Sequence, residues 1–164
     1  MILTDKYSDK HVAKQQTVLP ANPRRRVLYV DGDEDSREML STLLRFSQIE
    51  TKGVETAAQA LSLIRAERFD LYLLEAWLPD LDGFELCRRM RALDHYTPIL
   101  FYSGAAYDAD KKMGIEAGAD AYVTKPDVNT LLQSVTRWVS HRVSVAPCLG
   151  FRWGSQVRCL ANSN

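Results

Sequence analysis

The sequence has few features of a membrane, secreted or disulfide-linked protein. Its uncharged apolar stretches run to about six residues, whereas a membrane-spanning helix needs about 20. The N-terminus, Met-Ile-Leu-Thr-Asp-Lys, has no apolar core of signal-peptide length. The three cysteines are an odd number without a C-x-x-C pair, which argues against a disulfide framework and a zinc site. We therefore expect no membrane partner and a cytoplasmic location.

The chain also lacks an excess of one charge, since 21 basic residues balance 21 acidic ones. Residues 27–142 hold 13 basic and 19 acidic side chains, so they offer no strongly basic face to a phosphate backbone. Residues 1–26 hold six basic and two acidic side chains, including the run at 24–26, which we interpret as a solvated approach to a strand. Fingerprints for nucleotides, G-x-G-x-x-G or Walker type, are missing. From this balance we expect no nucleic-acid partner.

Beyond residue 26, short apolar runs alternate with amphipathic stretches, and the alternation repeats five times. The apolar runs predict strands, and the stretches with apolar residues at helical spacing predict helices. The predicted strands cover 27–30, 49–54, 71–74, 98–102 and 121–123, and the predicted helices cover 36–46, 57–66, 84–93, 108–117 and 128–141. Because a crossover between parallel strands passes through a helix, this pattern predicts a doubly wound α/β domain with a five-stranded parallel sheet and five helices.

The domain is expected to span residues 26–142. Residues 1–25 are polar and end near Pro20 and Pro23, which is typical of a mobile N-terminal extension. Residues 143–164 contain the large aromatic residues Phe151 and Trp153, and we expect this C-terminal tail to dock on the domain.

Ligands of doubly wound sheets bind at the carboxyl ends of the strands. Polar side chains follow four of the five predicted strands. They are Asp31 and Asp33, on either side of Gly32, after the first, Glu75 after the third, Ser103 after the fourth and Lys125 after the fifth. Carboxylates, a hydroxyl and an ammonium group at one edge suit a divalent cation and a phosphoryl group.

With their order and spacing, these strand ends resemble the receiver domain of bacterial two-component response regulators, the family that includes the chemotaxis regulators. The stretches that carry the resemblance are VLYVDGDEDSR at 27–37, DLYLLEAWLPDLDGFEL at 70–86 and YVTKP at 122–126. The resemblance implies a flavodoxin-like fold with strand order 2-1-3-4-5. It also implies a signalling switch, and we expect no enzymatic activity and no catalytic residue.

The family further implies a role for each strand end. In a receiver, an acidic pair after the first strand holds Mg²⁺, and an aspartate after the third accepts a phosphoryl group from a histidine kinase. A hydroxyl after the fourth strand and a lysine after the fifth bind the phosphoryl oxygens, and an aromatic residue of the fifth strand reports activation. By resemblance these roles fall on Asp31 with Gly32, and on Glu75, Ser103, Lys125 and Tyr122.

Two positions depart from the family pattern, because Gly32 replaces the second acid and Glu75 replaces the phosphoacceptor aspartate. Mg²⁺ demands near-ideal octahedral geometry, so we expect no metal or other cofactor, with Mg²⁺ weak at best. Asp31 and Asp33 are the residual metal candidates, although Asp33 is one residue further along and points to the opposite side of a strand.

The extra methylene of Glu75 moves its carboxylate outward by about one C–C bond, and a misplacement of ~1 Å can cost about 100-fold in rate. We therefore expect a pseudo-receiver, a phosphorylation-independent signalling adaptor that acts through protein–protein contacts. The alternative is a weakly phosphorylated, Mg²⁺-dependent switch. It stays open whether Glu75 imitates the phosphorylated state or forms an inert ion pair with Lys125.

The expected partner is a signalling protein, either a histidine kinase or a downstream target, with a homodimer as an open alternative. By resemblance it binds the face formed by the fourth helix, the fifth strand and the fifth helix, residues 108–141. Two other classes are disfavoured. A flavodoxin-like small-molecule binder needs a Gly/Ser/Thr-rich phosphate cradle, and a metal-dependent phosphatase needs an aspartate nucleophile where Glu75 stands.

Overall fold

The computed structural model describes residues 25–140 and contains five strands and five helices in alternation. The strands are β1 (Arg25–Val30), β2 (Ile49–Val54), β3 (Leu71–Leu74), β4 (Ile99–Ser103) and β5 (Ala121–Thr124). The helices are α1 (Glu34–Phe46), α2 (Ala57–Ala66), α3 (Gly83–Leu93), α4 (Asp108–Glu116) and α5 (Val128–Ser140). Each predicted element is present, and its ends lie within two residues of the predicted ones.

The ends of the chain carry predictions that this structure does not reach. Apart from Arg25, the N-terminal extension that we predicted to be mobile lies outside the described residues, and so does the tail that we predicted to dock. The domain boundaries at 26 and 142 therefore stay a prediction.

The sheet is parallel throughout and has the order β2-β1-β3-β4-β5. The predicted fold class and strand order are confirmed. β1 lies between β2 and β3, so the chain moves to one side of β1 first and to the other side afterwards. This reversal separates the loops above β1 and β3 and leaves a crevice at their carboxyl ends, where a doubly wound sheet binds its ligands.

Helices cover both faces of the sheet. On one face α1 and α5 bury Leu40, Leu44, Leu131 and Val135 against the strands. On the other face α2 and α3 supply small and large apolar side chains, namely Ala57, Ala60, Phe84, Leu86, Cys87 and Met90. Because both faces are covered, β1, β3 and β4 carry almost entirely buried side chains, as parallel strands require.

Cys87 lies in the apolar layer under α3 as a free, fully buried thiol. Burial raises its pKa to about 11, so the thiol stays protonated and unreactive at neutral pH. Cys87 therefore acts as a small buried hydrophobe of the core.

Local signals set the ends of the helices. Thr56 caps α2 and forms a capping box with Gln59, which satisfies backbone N–H groups at the helix start. Asp33 caps α1 and Asp82 caps α3 through their side chains. Just after α4, Gly118 adopts a φ of 106°, a left-handed conformation that favours glycine. Within residues 25–140, no helix has the length and apolar character to cross a membrane.

Candidate functional site

Four of the predicted site side chains meet above the carboxyl ends of β1, β3, β4 and β5. Asp31 and Glu75 are 2% and 8% exposed, and Ser103 is fully buried. The side chain of Lys125 is 23% exposed and covers them from the solvent side. Parallel strands that lie side by side deliver their next residues to the same edge, and this brings together groups as distant in sequence as Asp31 and Lys125.

Lys125 binds both carboxylates at once. Its Nζ lies 2.6 Å from Oδ2 of Asp31 and 2.9 Å from Oε2 of Glu75. Burial by itself lowers the pKa of Lys125, but the hydrogen bonds and charges of Asp31 and Glu75 outweigh burial and raise it. The ammonium also lies 5.5 Å from the centre of the Tyr102 ring, within the range of a cation–π contact. Lys125 is therefore a charged bridge between the two acids.

The second oxygen of Glu75 receives hydrogen bonds from the protein itself. Oε1 accepts from the hydroxyl of Ser103 and, at 2.7 Å, from the backbone N–H of Ala76. The Ser103 hydroxyl in turn accepts from the backbone N–H of Ala105 at 3.1 Å. Glu75 thus engages both groups, Ser103 and Lys125, that the family resemblance assigns to phosphoryl oxygens.

Asp31 is held by more donors than the sequence predicted. Its Oδ1 accepts from the backbone N–H of Asp33 at 2.9 Å, and its Oδ2 accepts from the hydroxyl of Tyr29 as well as from Lys125. Burial, reinforced by the hydrogen bond to Asp31, raises the pKa of Tyr29, so this tyrosine remains a donor. The backbone carbonyl of Asp31 accepts from Nη1 of Arg37 at 2.6 Å.

Sequence reasoning missed Tyr29 and Arg37. The signal for Tyr29 was present, because residues two apart on a strand lie on the same face and Tyr29 precedes Asp31 by two. Arg37 gave no such signal, since its contact depends on the turn that joins β1 to α1.

Two predicted positions do not join the cluster. The carboxylate of Asp33 accepts from the backbone N–H of Ser36 at 3.2 Å and from its hydroxyl at 2.6 Å, and these contacts lower the pKa of Asp33. Asp33 is thereby committed to the N-cap of α1. Gly32 is exposed, and a Cβ atom there would lie 3.3 Å from Cδ of Pro79. An aspartate at position 32 therefore fits once the Pro79 ring shifts slightly.

The loop between β3 and α3 is fixed on both sides. Asp80 accepts from the backbone N–H groups of Ala57 and Ala58, at 2.9 and 3.0 Å. At Gly83 a Cβ atom would overlap the carbonyl of Glu75, so only glycine allows α3 to begin this close to the cluster. The loop holds Trp77, 63% exposed, at the edge of the site.

Tyr122, the predicted switch residue, lies half-buried on the face covered by α4. Its ring stacks on Phe101, with centroids 5.3 Å apart, and its hydroxyl donates to the carbonyl of Ala105 at 2.7 Å. A Cβ atom at Gly114 of α4 would lie 2.9 Å from this ring. Gly114 therefore provides the space in which Tyr122 packs inward.

A signalling domain of the CheY type has this strand order. It also has acids, a hydroxyl and a lysine together at this end of the sheet. The family model of the response regulator receiver domain matches residues 27–136 of the sequence, more than half of the chain. The chain therefore belongs to this family. Its fold is similar to the Francisella response regulator 1452 receiver domain, with a TM-score of 0.68 and 26% identity over 72% of this chain and 98% of that one. It is also similar to the chemotaxis response regulator CheY4 of Vibrio cholerae, with a TM-score of 0.65 and 28% identity over 70% of this chain and 98% of that one. The chain is thus a receiver domain of two-component signalling.

Curated relatives include the DNA-binding response regulator MtrA of Mycolicibacterium smegmatis, 40% identical over 63% of this chain and 45% of that protein. Another is the transcriptional regulatory protein CseB of Streptomyces coelicolor, 37% identical over 71% of this chain and 49% of that protein. The chain spans about half the length of the curated relatives it matches.

These relatives overturn one expectation. We expected no nucleic-acid partner from the charge balance of residues 27–142, and this was wrong, because MtrA is named as a DNA-binding regulator. The physical reason is that the charge of a receiver domain describes that domain's own surface only. It carries no information about functions that belong to the remaining length of such regulators.

Proposed function

We propose that this receiver domain is a phosphorylation-independent signalling adaptor that acts through protein–protein contacts. The observation that carries the proposal is the set of donors on Glu75, namely the Ser103 hydroxyl, the Lys125 ammonium and the Ala76 amide. In the family these hydroxyl and ammonium groups bind an incoming phosphoryl group. Here they already bind a carboxylate, and that carboxylate is one methylene longer than the family's acceptor.

The donor set also fits Mg²⁺ poorly. The carboxylates of Asp31 and Glu75 share the Lys125 ammonium, Asp33 caps α1, and Gly32 offers no side chain. Within the described part of the chain, no group of three or more His, Cys, Asp or Glu side chains is placed to hold a metal ion. Mg²⁺ tolerates little departure from octahedral geometry. The proposal therefore includes no resident metal and no enzymatic activity.

Glu75 supports a fixed conformation more than it supports an isolated ion pair. An inert pair would need only Lys125, whereas Glu75 also receives the Ser103 hydroxyl, so it links the ends of β3, β4 and β5. Its single negative charge is smaller than the nearly two charges of a phosphoryl group. We propose that Glu75 partly imitates that group and holds the domain in one state. A cytoplasmic location belongs to the same proposal.

Control of transcription is the second candidate, favoured by the DNA-binding and transcriptional names of MtrA and CseB. In that case this domain would be the signalling part of a regulator that acts on DNA. A gel-shift assay of the full chain with duplex DNA at about 0.1 M salt, where electrostatic contacts persist, tests whether the chain itself contacts DNA.

The main test treats the full chain with Mg²⁺ and either beryllofluoride or acetyl phosphate. Tryptophan fluorescence follows the three tryptophans of the chain, of which Trp77 lies beside the cluster. Intact-protein mass spectrometry detects a covalent phosphoryl group. We expect no response from the native chain and recovery of the response when Glu75→Asp is combined with Gly32→Asp, because this pair restores the family's acids.

Glu85→Asp is the matched control, since it makes the same change at a partly exposed carboxylate of α3 that pairs with Arg88 and Arg89. Like the native chain, the Glu85→Asp variant should show no response to Mg²⁺ with beryllofluoride or acetyl phosphate. A saturable, Mg²⁺-dependent response of the native chain would contradict the proposal and establish the regulated switch.

A further inference from the structure

A buried tyrosine lies directly beneath the acidic cluster. Tyr29 of β1 is fully buried, and its hydroxyl donates to Oδ2 of Asp31. Its ring belongs to the apolar layer that also contains Leu73, Tyr102 and Leu40. A side chain packed in this way has little freedom to turn away, so the direction of its hydroxyl is fixed by the core.

The hydrogen bonds of Asp31 leave little capacity for another ligand. A carboxylate has about four lone-pair sites. On Asp31 one is taken by the backbone N–H of Asp33 at 2.9 Å, one by Lys125 at 2.6 Å and one by the Tyr29 hydroxyl. The hydroxyl and the ammonium share Oδ2, so they hold this oxygen from the buried side and from the solvent side together.

We propose that Tyr29 is a positioning residue that holds Asp31 on Lys125 and thereby keeps divalent cations out of the pocket. This inference rests on the proposed function and deepens it. Gly32 and Glu75 remove or displace two acids of the family pattern, and Asp31 is the acid that remains at its family position. Tyr29 commits that remaining acid to a contact inside the protein.

The energetic reason is the cost of an unpaired buried hydroxyl. A cation that drew Asp31 away would leave the Tyr29 hydroxyl in an apolar layer without its acceptor. Such a loss corresponds to about a tenfold decrease in affinity or more. Phenylalanine at position 29 keeps the ring and the packing but has no hydroxyl to lose, so it removes this penalty.

The experiment measures Mg²⁺ binding by isothermal titration calorimetry. It compares full chains that carry Gly32→Asp and Glu75→Asp, with and without Tyr29→Phe. We expect Tyr29→Phe to tighten Mg²⁺ binding about tenfold, or to make binding measurable where the double variant shows none. If the triple variant does not fold, the same comparison is made with Gly32→Asp alone as the background.

Tyr72→Phe is the matched control in the same background. Tyr72 is also buried in the sheet, and its hydroxyl donates to a carboxylate oxygen of Asp94 at 3.0 Å, at the opposite end of the strands. It should lower stability to urea without changing the Mg²⁺ affinity. This separates an effect on the site from a general loss of stability.

Two outcomes overturn the role of Tyr29, and both are distinct from failure of the proposed function. Unchanged binding, including none in either variant, means that the hydroxyl does not restrain Asp31. Weaker binding after Tyr29→Phe means that the hydroxyl orients Asp31 toward a metal, as partners of metal ligands commonly do. Failure of the proposed function is detected separately, by Mg²⁺ binding and phosphorylation of the native chain.

Discussion

At the scale of single residues, one methylene changes what a carboxylate at the end of β3 contacts. Glu75 carries its oxygens about 1.5 Å further than an aspartate, and this length brings them to Ser103 and Lys125. The sequence predicted this reach, because the three residues follow adjacent strands. It could not predict the contact between Arg37 and the backbone carbonyl of Asp31, since that contact depends on the turn after β1.

A second carboxylate, far from the cluster, illustrates how a single residue closes a turn. Asp94 accepts hydrogen bonds from the backbone and hydroxyl of Thr97, the backbone of Tyr96 and the hydroxyl of Tyr72, at 2.6–3.0 Å. Burial alone would raise its pKa, but these hydrogen bonds outweigh burial and lower it below the usual 3.8. The ionised form is therefore favoured by folding.

We predict that Asp94→Asn lowers the free energy of unfolding by about 1–3 kcal/mol at pH 7. Because the pKa of Asp94 is lower in the folded state, its carboxylate stabilises the protein at pH values above its pKa in the unfolded state. This contribution is lost as the pH falls through the pKa of the folded state. The difference between native and variant chains should therefore narrow below pH 3.8. Urea unfolding at pH 7 and pH 3 measures it, with Asp108→Asn, at a fully exposed side chain, as a control. If the native chain and Asp94→Asn differ by the same free energy of unfolding at both pH values, the ionised Asp94 carboxylate is not the source of the stability.

At the scale of elements, apolar spacing predicted where helices and strands lie but not how α1 begins. The stripe of Leu40 and Leu44 marks only the buried face of α1, and the predicted start was residue 36. The helix begins at Glu34, because Asp33 caps it and the acidic residues Glu34 and Asp35 fill its first turn. Acids near a helix start are favoured by the helix dipole. That same cap explains why Asp33 does not turn toward Lys125.

The contact between α4 and β5 depends on a glycine of α4, Gly114. At Gly114 a Cβ atom would lie 2.9 Å from the Tyr122 ring and 3.1 Å from the Phe101 ring. Overpacking of this kind costs about 1–3 kcal/mol, while alanine recovers about 1 kcal/mol of helix propensity. We predict that Gly114→Ala moves Tyr122 outward and breaks the hydrogen bond from its hydroxyl to the carbonyl of Ala105. The free energy of unfolding should fall by up to about 2 kcal/mol.

Nitration by tetranitromethane, mapped by peptide mass spectrometry, measures the exposure of Tyr122. We expect faster nitration of Tyr122 in Gly114→Ala than in the native chain. Gly104→Ala is the matched control, since a Cβ atom there meets no other atom within 4 Å, and it should leave the rate unchanged. An unchanged rate in Gly114→Ala would show that Gly114 does not set the position of Tyr122.

At the scale of the whole molecule, the cluster is assembled from groups that are far apart in the chain. Asp31 and Lys125 are separated by 94 residues and meet because β1, β3, β4 and β5 are parallel neighbours. This part of the site was predictable, since topology alone places strand ends on one edge. The expectation about nucleic acid failed for the opposite reason, because net charge is summed over a domain and does not indicate what a regulator does elsewhere along its length.

The packing also makes a prediction about where the folding unit ends. Both faces of the sheet are covered by helices that lie within residues 25–140. The two ends of this range lie close together, since Nη1 of Arg25 donates to the Ser140 hydroxyl at 3.2 Å. We therefore predict that a chain of residues 25–142 unfolds in one cooperative transition. Its free energy of unfolding should lie within about 1 kcal/mol of that of the full chain.

Urea unfolding followed by circular dichroism tests this prediction on the short and the full chain together. Equal slopes of the two transitions would mean that both expose the same surface, so the folding unit is the domain alone. A short chain that is less stable by several kcal/mol, or that unfolds with a smaller slope, would place part of the core in the terminal segments and refute the boundaries at 26 and 142. Because β1 begins at Arg25 and α5 ends at Ser140, such a loss would have to come from contacts made beyond both elements.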